Sequence, residues 1–167
     1  TPATSGTGKY KIDAGYATTI YHGGAVASSA GYIIDGQTAA APILGVLNGI
    51  FYNAATTLKP TFSNHYVQVT PANSEDIDAF VFDNPQQQYV VATDAAAAQA
   101  KYLETFDMNA SAGSTTTGKS SSTLDIGTTH ADNKSFRLLR SAEDPENDEN
   151  AEYRSVVVVP NLIELQS

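Results

Sequence analysis

Short runs of apolar and β-forming residues, separated by Gly, Pro, Asn, Asp and Ser, make up most of the chain, which is the rhythm of strands and turns. The densest run covers residues 39–52. It holds no charge and is broken by Gly45 and Gly49. Glycine inside such a run predicts a bulge, a tight bend or close backbone approach. Strongly bent strands of this kind build small barrels. Residues 9–21 predict one or two short strands through Tyr10, Ile12, Tyr16 and Ile20, and His22-Gly23-Gly24 marks a turn. Residues 26–36 predict another strand, ending at the Asp35-Gly36 turn.

Residues 62–70 alternate well, with Phe62, Tyr66, Val67 and Val69 among polar neighbours. Residues 77–82 and 88–92 predict a hairpin across Asp83-Asn84-Pro85-Gln86. Both faces of Ala79-Phe80-Val81-Phe82 are apolar, which places that strand deep in the fold. Leu124-Asp125-Ile126 and residues 136–140 read as strands around a polar turn. Residues 154–165 contain the buried run Val156-Val157-Val158-Val159, followed by Pro160.

One segment breaks the rhythm. Residues 94–104 predict an α-helix capped by Thr93 or Asp94, because Ala95 to Ala98 have the best helix propensity. About eleven residues give three turns, roughly 16 Å, with Ala95, Ala98 and Tyr102 on one face. Residues 1–8 predict a flexible arm of small polar residues. Residues 109–123 and 141–152 predict loops, the first low in complexity and the second acidic. The fold class is therefore all-β: one compact barrel-like or sandwich-like domain over residues 9–167, with one short α-helix and extended loops, after an arm over 1–8.

Composition narrows the function classes. The 167 residues can bury roughly two-thirds of the unfolded surface in one domain. The absence of cysteine excludes disulfides and thiolate metal sites and fits folding in a reducing cytosol. The net charge of -9 argues against nucleic acid as a partner, since phosphate binding needs a basic footprint. No run reaches the roughly 20 apolar residues of a membrane helix, and the first residues carry no signal-peptide pattern. No membrane partner is expected.

Several motifs invite chemistry. Gly113-Ser114-Thr115-Thr116-Thr117-Gly118-Lys119-Ser120 matches the phosphate-loop pattern in full. That chemistry needs a strand before it and a helix after it, so that helix amides meet the phosphate. Neither flank reads that way, and a Ser/Thr/Gly-rich tract produces the pattern by chance. A nucleotide hydrolase built on Gly118, Lys119 and Ser120 is therefore disfavoured.

Residues 143–152 hold six carboxylates. Pro145 and the lack of glycine do not fit a helix-loop-helix calcium site, and a solvated turn held open by repulsion is the favoured reading. His22, His65 and His130 lack metal-ligand spacing. Glu75, Asp76 and Asp78 cluster where a glycosidase would need two carboxylates facing each other across a groove. The aromatic-rich first third (Tyr10, Tyr16, Tyr21, Tyr32, Phe51, Tyr52) suits core and subunit packing, or stacking on sugar or bases. Asn109-Ala110-Ser111 is a glycosylation pattern that matters only in a secretory pathway. No catalytic, cofactor-binding or metal-binding residue is assigned, no cofactor is expected, and the chain is not expected to be an enzyme.

The order of these pieces resembles the capsid cement, or decoration, proteins of tailed bacteriophages. The resemblance is carried by Lys11-Ile12-Asp13-Ala14-Gly15-Tyr16-Ala17-Thr18-Thr19-Ile20, by residues 41–52, by residues 79–85, by residues 112–120 with Leu124-Asp125, and by residues 136–140 ahead of the final valine run. It implies a structural protein, made in the host bacterial cytoplasm, that sits on the exterior of the virion capsid. Its implied partners are the major capsid protein and itself, as a homotrimer. A carbohydrate-binding or adhesive surface module is the alternative.

Overall fold

A computed structural model describes residues 6–37, 42–127, 134–148 and 150–164. Residues 1–5 of the expected arm, residues 39–41 of the densest apolar run, His130, Glu149 and the end of the last predicted strand lie outside the described residues. The fold is all-β. One sheet contains β1 (Gly8–Ile12), β2 (Ala25–Ser29), β3 (Tyr32–Asp35), β4 (Gly45–Asn53), β5 (Pro60–Ser63) and β6 (Ile77–Phe82). Its order is β1-β6-β4-β2-β3, with β5 paired to the far half of β4. Strand β1 also packs against β3, so the sheet curls back on itself as a partly open barrel.

A second sheet contains β7 (Tyr89–Ala92), β8 (Thr105–Phe106), β11 (Phe136–Ser141) and β12 (Ser155–Pro160), in the order β7-β12-β11-β8. Two short strands, β9 (Met108–Asn109) and β10 (Thr123–Leu124), pair beside it. Each sheet has its own core. Ile12, Ile20, Val26, Leu47, Tyr66 and Val81 fill the barrel. Phe106, Leu124, Phe136, Leu138, Val156 and Val158 fill the second layer.

The two glycines in β4 act as the sequence predicts. The register on β6 slips between Leu47 and Gly49, a bulge at Asn48. Before it β4 pairs with β2, and after it with β5. At Gly45 a Cβ would stand 2.1 Å from the Phe82 carbonyl oxygen, so only glycine lets β4 and β6 approach there.

Other expectations are corrected. Residues 94–104 form no α-helix; a single 3-10 turn spans Gln99–Lys101. Tertiary bonds take the groups a helix would use. Asp94 accepts the Ile126 N–H at 2.8 Å instead of capping a helix, and its own N–H goes to Leu124. The buried Arg154 donates to the Ala97 carbonyl at 3.0 Å and to the Tyr102 hydroxyl. A short alanine run has too little nucleation advantage to resist this.

Strands β6 and β7 form no hairpin, because β1 and β4 occupy both edges of β6 and β7 joins β12 instead. The strand expected over 62–70 stops at Ser63, where the Ser63 hydroxyl turns back to the His65 backbone. Residues 26–36 form two strands, not one. They turn at Ala30 and Gly31, which both have positive φ, the geometry of a tight hairpin turn. Strands β10 and β11 do not pair with each other.

Candidate interaction surfaces

Two leucines stand out from the surface. Leu58 is 71% exposed with φ 54°, and Leu103 is 63% exposed with φ 70°. A left-handed backbone costs an L-residue of this bulk roughly 1–2 kcal/mol, and such strain persists only where the surroundings hold it. At Leu58 the β4–β5 turn supplies the restraint: its N–H donates to Ala54 at 2.8 Å, and Ala54 donates to Lys59 at 3.2 Å. At Leu103 the N–H donates to Leu138 at 2.7 Å, and the Arg137 guanidinium donates to its carbonyl at 2.8 Å. Both backbones are tied down while both side chains face solvent. Leu58 lies in the turn between β4 and β5 of the barrel, and Leu103 lies just before β8 of the second sheet.

Phe62 is a further exposed apolar residue. It is 74% exposed on the edge strand β5 and packs against Phe51 across the pair, with ring centroids 4.7 Å apart and the planes tilted by 44°. Pro60 opens β5, as suits an edge strand. Lys59 at the tip is the only charged residue between Asp35 and Glu75. Sequence reasoning counted Phe62 as an ordinary strand position and passed over both leucines. The available signal was a lone Leu58 set among Thr, Lys and Pro, too polar a stretch for it to belong to a core.

A cleft of about 390 Å³ lies between β7 and residues 119–123. Thr93, just after β7, is bridged to Leu124, and Lys119 is bridged to His22. Ala25, Val46, Met108 and Val158 line the cleft together with Ser120, Ser121 and Ser122. Gln37 is buried beneath this ledge and accepts hydrogen bonds from the Ser120 and Ser122 hydroxyls.

The phosphate-loop motif forms part of the same ledge and is folded differently from a nucleotide cradle. Several of its amides are already bonded: Ser114 donates to Lys119, Gly118 to Ser114, and Ser120 to His22 outside the loop. Met108–Asn109 is the strand before it and Thr123–Leu124 the strand after it, so no helix N-terminus points at the loop.

The remaining candidates are distributed over the molecule. Asp78 on β6 is ion-paired with Lys9 at 2.7 Å and Lys11 at 2.6 Å, both on β1. Burial pushes its carboxyl up, and the two lysines outweigh burial and hold it below the usual range. Tyr32 donates to Asp76 at 3.2 Å. Asp78 and Asp76 thus serve strand pairing and a tyrosine hydroxyl. Tyr10 is pushed up to about 12 by burial and by its 2.6 Å hydrogen bond to Asp83. Burial pushes Tyr89 to a similar value, about 12, and its hydroxyl donates to Phe82.

Tyr10, Tyr16 and Tyr52 pack on the barrel core. His22 and His65 lie on opposite sides of the Gly118 turn: His22 donates its N–H to Gly118, while a Cβ at Gly118 would meet His65. In the acidic loop the Asn147 amide donates to Ser141, Ala142 and Ser155, so the turn is pinned by this one side chain.

Among the described residues no group of three or more His, Asp or Glu side chains is placed to hold a metal ion, and no helix is long and apolar enough to cross a membrane. Comparison with protein families, with characterised proteins and with solved structures finds no match to this chain.

Proposed function

We propose that this protein is a capsid cement protein, which binds the exterior of an assembled phage head and bridges neighbouring major capsid subunits. One observation carries the reading: two leucines, one in the β4–β5 turn and one just before β8, each held exposed at a cost in backbone strain. A bridge needs at least two adhesive faces, and strain maintained at an exposed apolar side chain is an argument for contact there. The resemblance of the sequence to decoration proteins points to the same role.

A ligand that binds only the assembled shell stabilises it by mass action, and many copies acting together turn modest contacts into avidity. The copies act as homotrimers on the outside of the virion, with no chemical step. The net charge of -9 keeps decorated particles apart. Cosedimentation with expanded shells that lack the protein tests the reading. Saturable binding to expanded shells and none to free capsid subunits is the expected result; no binding to shells contradicts it.

A further inference from the structure

We infer that the β7 cleft is a docking groove for an extended acidic segment of another protein, which adds a strand to the edge of β7 and sets a carboxylate on Lys119. The groove includes neither Leu58 nor Leu103 and needs no shell to fill it.

The near bank is an open strand edge. Antiparallel pairing uses only alternate amides and carbonyls of a strand, and the others face the opposite edge. Among the described residues β7 pairs with β12 from Tyr89 to Ala92, and no strand pairs with its other edge over that length. Such an edge is a template for an added strand. Val90 stands on it 66% exposed.

The far bank is held back from closing the gap. The Ser120 N–H donates to the His22 carbonyl at 3.0 Å. The Ser120 and Ser122 hydroxyls donate to the buried Gln37, and the Ser122 hydroxyl accepts the Ser111 N–H at 3.2 Å. The groove is therefore preformed, and filling it costs the protein little ordering. Its volume of about 390 Å³ suits a short segment.

The lining sets the chemistry of the occupant. Ala25, Val46, Met108 and Val158 make an apolar floor, and Ser121 and Ser122 belong to a polar rim. Side chains alternate along a strand, so the segment turns apolar residues to the floor and short polar ones outward. Lys119, the lysine of the phosphate-loop motif, is the one lining residue charged at neutral pH. Its ammonium makes no ion pair among the described residues. A cation left unpaired in a chain of net charge -9 calls for an acidic occupant.

Two acetylated and amidated peptides serve as probes, Asp-Val-Thr-Val-Thr and Thr-Val-Thr-Val-Asp, because a strand can pair with β7 in either direction. Counterparts carry Lys in place of Asp. Binding is followed by fluorescence anisotropy and by hydrogen exchange of the β7 amides in the full chain. The expected result is that one Asp probe at saturation slows exchange of the cleft-facing β7 amides about tenfold. Its Lys counterpart should bind at least about threefold more weakly at low salt. Lys119→Glu, at an exposed position, should reverse that order with the fold kept by circular dichroism.

β7 exchange that neither Asp probe slows at millimolar concentration, equal binding of Asp and Lys probes, or an order unchanged by Lys119→Glu would each overturn the inference. Two rival occupants are tested alongside. Protection of the β7 amides before any probe is added, lost on dilution, would make a second copy the occupant. Hexanoate that displaces the Asp probe as well as unlabelled peptide does would make the groove a site for small apolar acids. Either result overturns the strand pairing.

Discussion

At the residue scale the decisive positions are those where backbone and side chain disagree. Leu58→Gly and Leu103→Gly relieve left-handed strain while removing an apolar contact. Each variant should keep its melting temperature within a few degrees of wild type. Each should also bind expanded shells roughly 10- to 100-fold more weakly, since an enclosed Leu is worth about 1.5–3 kcal/mol. A leucine that mattered only for folding would give the opposite pair of results in thermal melts and cosedimentation.

Gly45→Ala is expected to destabilise by about 1–3 kcal/mol in urea unfolding, because the new methyl must displace the Phe82 carbonyl. Gly45 was legible from sequence, as a glycine inside an uncharged apolar run. Leu103 was not, because the bonds that hold its backbone come from Leu138 and Arg137, more than thirty residues away.

Titration follows from residues too. Asp78 is held below its ordinary 3.8 by Lys11 and Lys9 against the cost of burial. Its contribution to stability is complete above that value and is lost as pH falls through the lowered native one. Asp78→Asn should flatten the acid limb of the stability curve. Tyr10 and Tyr89 titrate near 12 in the native chain against 10.0 ordinarily. They favour the native state fully below pH 10, and that contribution is lost between 10 and about 12. Unfolding followed by tyrosinate absorbance should therefore steepen in that window, and Tyr10→Phe should lessen the slope.

At the scale of elements, local pattern located most strands and misassigned their partners. Strands β4, β6, β11 and β12 lie where the apolar runs put them. The β6–β7 hairpin failed because a strand's free edges depend on the whole sheet, and nothing local to 77–92 reveals that β1 and β4 already hold β6. The helix over 94–104 failed for a related reason: Arg154, more than fifty residues away, takes the Ala97 carbonyl and the Tyr102 hydroxyl. Arg154→Ala should leave that buried carbonyl without this donor and cost about 1–3 kcal/mol, read as a lowered urea midpoint with unchanged slope.

For the whole molecule, the all-β character was visible in the spacing of apolar runs, and its division into two cores was not. The split rests on β1 and β4 holding both edges of β6, and on β7 pairing with β12 instead. Both are long-range choices. The result is a chain with two cores and two exposed leucines, one in the β4–β5 turn and one just before β8.

That mechanical role is tested most directly by the temperature at which expanded, DNA-filled heads lacking this protein release their DNA, measured as purified protein is added. The expected result is a rise that tracks occupancy, levels off when sites are full, and is lost with the Leu58→Gly, Leu103→Gly double variant. A release temperature that stays constant at full occupancy would contradict it.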